Sequence, residues 1–355
     1  MAVFCVIIGL FSCGKEAPEL ASTNSDSRSA SLISVEDLEP NYVYTLAGTP
    51  DKYVQDDGVG DQASFIDLAQ LVADDGYLYA VDSYVVRRIK ISDRTVTTLA
   101  GDKLGGDHRD GVGKNATLRS PSSLALGPDG NIYVAELNQV SKVTKDGKVT
   151  TVAGSAAGYQ DGPVKTAQFS RLTSIAVCED GTIYVIDNQF YQTGKIHIRK
   201  ISTSGIVSTV ASGPTNVGSS SWDINSLSVL HGTLYAGGTG IFKIGLKGQI
   251  TTVKESVPVF YNSLLAQEDG SFFISSNNQI KKVSATGTVT PFAGLPVTDQ
   301  YAKPTEGPAD GVDLHEPSGI TIYNKVLYIC VHPHKAELES PYSQQGHVIQ
   351  MIAVP

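Results

Sequence analysis

The sequence predicts an all-β fold: a six-bladed β-propeller of four-stranded blades, closed by an N-terminal strand that completes the last blade. Three observations predict it. The stretch Val96-Thr97-Thr98-Leu99-Ala100-Gly101 recurs through the 355 residues, each recurrence ends a run of strand-sized segments, and the segment count is out of step at the two ends. The copies are Tyr44-Thr45-Leu46-Ala47-Gly48, Val149-Thr150-Thr151-Val152-Ala153-Gly154, Val207-Ser208-Thr209-Val210-Ala211-Ser212, Ile250-Thr251-Thr252-Val253 and Val289-Thr290-Pro291-Phe292-Ala293-Gly294. Their aligned Thr or Pro falls at 45, 98, 151, 209, 252 and 291. A period of roughly 40–55 residues, rich in β-branched side chains and Gly turns, is that of a propeller or array.

Each unit carries segments A to D. The first has Leu71-Val72, Leu78-Tyr79-Ala80-Val81, Val86-Arg87-Arg88-Ile89 and Val96 to Leu99. In the second, Ser123-Leu124-Ala125-Leu126 turns through Gly127-Pro128-Asp129-Gly130 into Asn131 to Ala135. Val140-Ser141-Lys142-Val143 then turns at Lys145-Asp146-Gly147 into Val149 to Val152. Asp-Gly pairs are hairpin signals because Gly tolerates the positive φ of such turns. The third to fifth units repeat this order from Ser174, Ser226 and Ser263. The sixth runs from Gly319 through Val326 to Ile329 and ends on Val348 to Ile352, with no D segment. An orphan D segment, Val43 to Leu46, opens the folded part. Pairing the two ends gives six of each segment and leaves only short outer edges.

Composition bounds the function. Hydrophobic residues make up 41% of the chain, enough for a core. A formal net charge of −9 argues against nucleic acid, since phosphate binding needs a basic surface that releases counterions. The four Cys (5, 13, 178 and 330) have no metal-type pairing, and Cys178 and Cys330 read as buried thiols in strands.

Ala2 to Phe11 is an apolar run too short to span a bilayer as a helix but suited to a secretory signal. It ends in Leu10-Phe11-Ser12-Cys13-Gly14, which resembles a bacterial lipobox. The resemblance implies a signal peptide over 1–12, a lipidated Cys13, and an anchor in the bacterial cell envelope, at the outer membrane or the periplasmic face. Residues 13–40 hold six serines between Ser22 and Ser34 and little apolar surface, the composition of a flexible tether. Residues 41–355 make the propeller.

The units resemble the NHL repeat family, whose pattern runs roughly Pro-x-Gly-Ile-Ala, Leu-Tyr-Val-Ala-Asp, Ile-Arg-Lys-Ile and Val-Thr-Thr-Leu-Ala-Gly. The match covers residues 42 to 354. It is closest in units one to three and six, where Asp57-Gly58, Asp110-Gly111, Asp161-Gly162 and Asp310-Gly311 also precede strand A. The resemblance implies the fold; function resides in sites grafted onto the scaffold.

The D-to-A and B-to-C loops of a propeller share one face. Here the D-to-A loops at about 49–68, 102–121, 155–172 and 295–317, and the B-to-C loops at about 187–196 and 331–347, are long, whereas the opposite turns are tight. Long loops on a rigid scaffold carry binding function. The ligand-binding candidates on that face are Tyr159, Asp187, Tyr191, Trp222, His315, His332, His334 and Tyr342. Aromatics there either stack on a sugar or partner or anchor their own loops. His332, His334 and Glu337, with Glu339 and His347 nearby, are either weak metal ligands or solvated loop residues, for no fixed ligand spacing is present. The Asp-Gly pairs read as turn carboxylates bonding loop amides, with calcium the weaker alternative. Around the channel, the start of strand A reads Gln70, Ser123, Ser174, Ser226, Ser263 and Gly319, with no carboxylate or imidazole. The expectation is a monomeric, non-enzymatic envelope lipoprotein, without a cofactor, that binds a protein, peptide or glycan. The rival is a metal-dependent, lactonase-like hydrolase or lyase on the same face.

Overall fold

The computed structural model describes residues 38–189, 193–214, 224–245, 248–255, 261–296, 306–332 and 346–354. They form six antiparallel sheets, each running from an inner A strand outward to D. The inner strands are Leu68–Asp74, Ser123–Leu126, Leu172–Val177, Ile224–Leu230, Tyr261–Ala266 and Ile320–Tyr323. Alternation along the strands buries one row in each blade-to-blade layer, so the core is a ring of sandwiched layers. Between blades 6 and 1, for example, Leu46, Phe65, Leu68, Tyr328, Ile349 and Met351 pack together.

Closure is as the end segments predict. Tyr42–Gly48 pairs antiparallel with Val348–Ala353, in the register Val43↔Ile352, Tyr44↔Met351 and Thr45↔Gln350. The chain enters the fold slightly before residue 41: Leu38 joins the core and Pro40 bridges Ala353.

Two details depart from the sequence reading. Among the described residues, four blades have a fifth, outermost strand of two residues, at Gly58–Val59, Gly111–Val112, Gly162–Pro163 and Gly307–Pro308. Each lies in the D-to-A connection and pairs with the D strand of the blade that follows. Much of each long connection is therefore ordered edge and plug rather than free loop. After the edge strand the chain turns back and buries a small and a large residue between blades: Ala63 and Phe65, Ala116 and Leu118, Ala167 and Phe169, Val312 and Leu314.

The second correction concerns blade 6. The counterpart of Asp57-Gly58 there is Glu306-Gly307, not Asp310-Gly311. Glu306 accepts from the Thr45 N–H at 2.8 Å, as Asp110 does from Thr151 and Asp161 from Thr209. A longer carboxylate fills the same role, and a search for the Asp-Gly pair alone lands four residues late.

The Ala-Gly that ends a repeat has a steric reason. Gly48, Gly101 and Gly154 have φ of +97°, +104° and +102°. A Cβ there would sit 2.5, 2.5 and 2.6 Å from the carbonyl oxygens of His347, Tyr84 and Asn138 in the B-to-C turns.

Candidate functional site

The loops meet on one face because, in blades 1, 2, 3 and 6, the B-to-C turn is hydrogen-bonded to the loop entering strand A. The donors and acceptors are Ser83 N–H to Asp67 O, Leu137 to Arg119, Asn188 to Arg171 and His332 to His315, at 2.8 to 3.1 Å. Beneath this face lie ionic clamps. In blade 1, Arg87 of strand C donates to Asp82 at 2.7 Å, to Asp57 at 3.1 Å and to the carbonyls of Asp56 and Ser64. In blade 3, Arg199 does the same with Asp187 and Asp161, both at 2.7 Å, and with the carbonyls of Gln160 and Gln168. The guanidinium fork matches carboxylates and carbonyls together, which is why Arg and not Lys fits here.

Asp187, expected on the ligand surface, has no solvent exposure. Its Oδ1 accepts the N–H groups of Ser170 and Arg171, and its Oδ2 takes Arg199. Burial raises its pKa, against the pull of those N–H groups and of Arg199. Its carboxylate holds the loop entering strand A, and a ligand has no access to it.

Tyr159 and its neighbours form the most distinctive surface of the face. In the third repeat Ser212 replaces the terminal Gly, so the D strand continues as Ile206–Pro214 and strand C begins as early as Lys195. Strand B extends to Gln189, and the three make a ribbon in which Gln189 pairs with Lys195 and His197 with Ser212. His197 is buried; its Nδ1 meets Ser212 Oγ at 2.7 Å and its Nε2 meets Gln189 Oε1 at 3.2 Å. Gln189 Oε1 accepts only, so Nε2 carries the proton and Nδ1 accepts from Ser212. Burial, then Arg199 and Lys195, lower the His197 pKa and keep the ring neutral. Tyr159 lies 4.5 Å from that ring and 4.6 Å from the Arg199 guanidinium, with its hydroxyl 2.7 Å from Thr209. At 43% exposure it is still open to solvent.

Across the ring, His332, His347 and Asp67 have ligand-type atoms within 4.8 Å of one another. The imidazoles stack at 4.0 Å. Leu68 N–H donates to His347 Nδ1 at 2.8 Å, and His332 Nε2 donates to Leu68 O at 2.8 Å. The two rings thus clip both backbone groups of the first residue in strand A of blade 1. These bonds put a proton on His332 Nε2 and make His347 Nδ1 the acceptor, so that His347 carries its proton on Nε2. The donor set gives a cation His332 and Asp67 but only an N–H from His347. His315 is buried beneath and contributes its carbonyl to His332 N–H. Cys13, Tyr191, Trp222, His334, Glu337 and Tyr342 lie outside the described residues.

The channel is lined by Leu71, Leu124, Ile175, Leu227, Leu264 and Ile320 around a cavity of 150 Å³. Its serines bridge neighbouring inner strands: Ser174 Oγ accepts from Leu227 N–H and Ser226 Oγ from Leu264 N–H. They are spent on the scaffold.

Sequence reasoning missed His197, Ser212, Gln189 and Asp67. The signal available for the ribbon was Ala211-Ser212 standing where the other well-kept repeats have Ala-Gly.

No family model matches the chain. Human teneurin-4 is 33% identical over 152 residues, which is 36% of this chain and 5% of teneurin-4. The chain therefore spans a small part of the curated relatives it matches. Among solved structures, an auxiliary nutrient binding protein from Bacteroides thetaiotaomicron superposes with a TM-score of 0.60 at 13% identity, over 87% of this chain and 76% of that one. A gluconolactonase from Xanthomonas campestris does so at 0.56 and 12%, over 88% and 89%. Likeness at that identity is a likeness of fold. The chain is a six-bladed β-propeller, related over about a third of its length to the teneurins and sharing its fold with bacterial propellers.

Proposed function

We propose that this chain is a non-enzymatic lipoprotein of the bacterial envelope, anchored through Cys13, whose loop face binds an extracytoplasmic protein, peptide or glycan. The observation that carries the reading is the blade 3 ribbon. It is built beyond what closure of the wheel needs, and it presents the Tyr159 ring beside exposed Ser212. An aromatic face flanked by hydroxyls suits a sugar or a peptide backbone. The fold shared with the nutrient binding protein is compatible with it.

The test is the full chain on a glycan array and as bait in an envelope extract. A retained ligand whose affinity falls about tenfold or more in Tyr159→Ala supports the reading. Retention unchanged by that variant, or no ligand from either source, overturns it. For the anchor, Cys13→Ala should leave the detergent phase; continued partitioning would sink the lipidation.

A second reading, a metal-dependent hydrolase, is favoured by the convergence of Asp67, His332 and His347. Against it stands the Nε2 proton of His347. Stoichiometric zinc in the purified protein, lost in His332→Ala, would establish the metal site, and a hydrolytic activity lost with it would establish the reading.

A further inference from the structure

Blade 2 lacks the arginine. At the position of Arg87 and Arg199, opposite Val134 of strand B, stands Ser141, too short to span two carboxylates. The carboxylates remain: Glu136 at the end of strand B, with no exposure, and Asp110 before the outer strand. His108 enters between them from the D-to-A loop. Its Nδ1 lies 3.0 and 3.1 Å from the two Glu136 oxygens, and its Nε2 lies 2.9 Å from Asp110 Oδ1 and 3.0 Å from Thr151 Oγ1. A ring nitrogen facing a carboxylate must carry a proton, because the carboxylate only accepts. Both nitrogens face one, so the ring is an imidazolium here.

We infer that His108 is a cationic latch replacing the arginine of blades 1 and 3, so that the 102–110 segment of the loop face is held in a proton-dependent way. The substitution changes the chemistry as well as the shape. Arg keeps its charge at every accessible pH, whereas His loses it near neutrality.

The groups around the ring are accounted for on each element. Glu136 also accepts the Ser141 hydroxyl and the Arg119 N–H, the latter at 2.6 Å. The Arg119 guanidinium is 3.7 Å from Asp107, on the same loop as the latch. Strand D contributes Thr151, which also gives its N–H and hydroxyl to Asp110. Burial alone lowers the His108 pKa; the hydrogen bonds and charges of Glu136 and Asp110 outweigh it and raise the value above 6.5. A raised histidine pKa stabilises the fold fully below the unfolded value, and that contribution disappears as pH climbs through the folded one. Release is therefore alkaline.

The full chain tests this directly. Imidazole ¹⁵N NMR should show both His108 nitrogens protonated at pH 6 and a midpoint above the ordinary histidine value. Amide protection over 102–110, corrected for intrinsic exchange, should fall about tenfold or more from pH 6 to pH 9, the scale of one lost charge-assisted contact. The double variant His108→Ala/Ser141→Arg, which returns the cation to strand C, should hold protection constant over that range. A His108 midpoint at or below the ordinary value overturns the latch. So does a double variant whose protection falls like the wild type's, because another group would then be responsible. Should that variant fail to fold, the wild-type midpoint decides alone.

Discussion

Blades 1 and 3 and blades 4 and 5 share one backbone plan but are held by different means. In the first pair a buried Arg ties strand B to the incoming edge strand through two carboxylates. In the second pair Gly238 and Ser276 occupy the Asp position, and Phe242 and Lys281 the Arg position. Blades 4 and 5 also have no fifth strand among the described residues. The losses go together for a reason. The edge strand is two residues long, too short to stay by its own ladder bonds, and its carboxylate-to-Arg link supplies the rest. Without the clamp, blade 4 fills the Arg position with Phe242, which packs against the core. Blade 6 lies between: Glu306 ties its edge strand, but Gln350 stands at the Arg position with neither amide atom partnered among the described residues.

The comparison can be broken at several points. The largest effect should come from removing residues 41–48, which strips blade 6 of its D strand and opens the packing between blades 6 and 1. Clamped and unclamped blades should then lose cooperative unfolding together in a calorimetric scan. Survival of a sharp transition would show that the clamps hold part of the wheel alone. Next, Arg199→Met leaves Asp187 buried and unpaired, at a cost of about 3–5 kcal/mol in urea unfolding. Phe242→Met, at the same position in blade 4, should cost less than about 1.5 kcal/mol. Equal costs would remove the distinction between the two kinds of blade.

A smaller effect separates the repeat ends. Gly154→Ala forces a side chain into a positive φ against the Asn138 carbonyl, for a loss of roughly 1–3 kcal/mol by the same measurement. Ser212→Thr, which keeps the hydroxyl facing His197 where the strand runs on, should stay within about 1 kcal/mol, the span of strand preferences. A reversed order would mean that the ribbon is strained and the turns are not. The smallest effect is local: amides of blades 4 and 5 should exchange faster than those of blades 1 and 3 in native-state hydrogen exchange, without a change in global stability. Uniform protection would show that inter-blade packing alone sets local stability.

The candidate site was less legible than the fold. Tyr159 stands out by its loop position and is exposed there; Asp187, which at the end of strand B reads as either a site residue or a structural one, is a buried clamp. Sequence could place both at the face; only the partner Arg199, twelve residues on and in the next strand, says which one faces inward. His332 stood among the metal candidates because of His334 and Glu337 nearby in sequence. In space its partners are His347 and Asp67, the second from another blade.

What the sequence determined by itself was the number of blades, their strand order and the closure, because these follow from period, alternation and turn chemistry, each read within a few dozen residues. It also determined the terminal glycines, whose need is steric and local. The tertiary structure decided which carboxylates are structural, that four long loops carry a short edge strand and a buried plug, and that a histidine stands in for a missing arginine. Those outcomes depend on charges brought together from strands and loops that are far apart in the chain. Pairing energy depends on distance and burial, and neither is written in the order of residues.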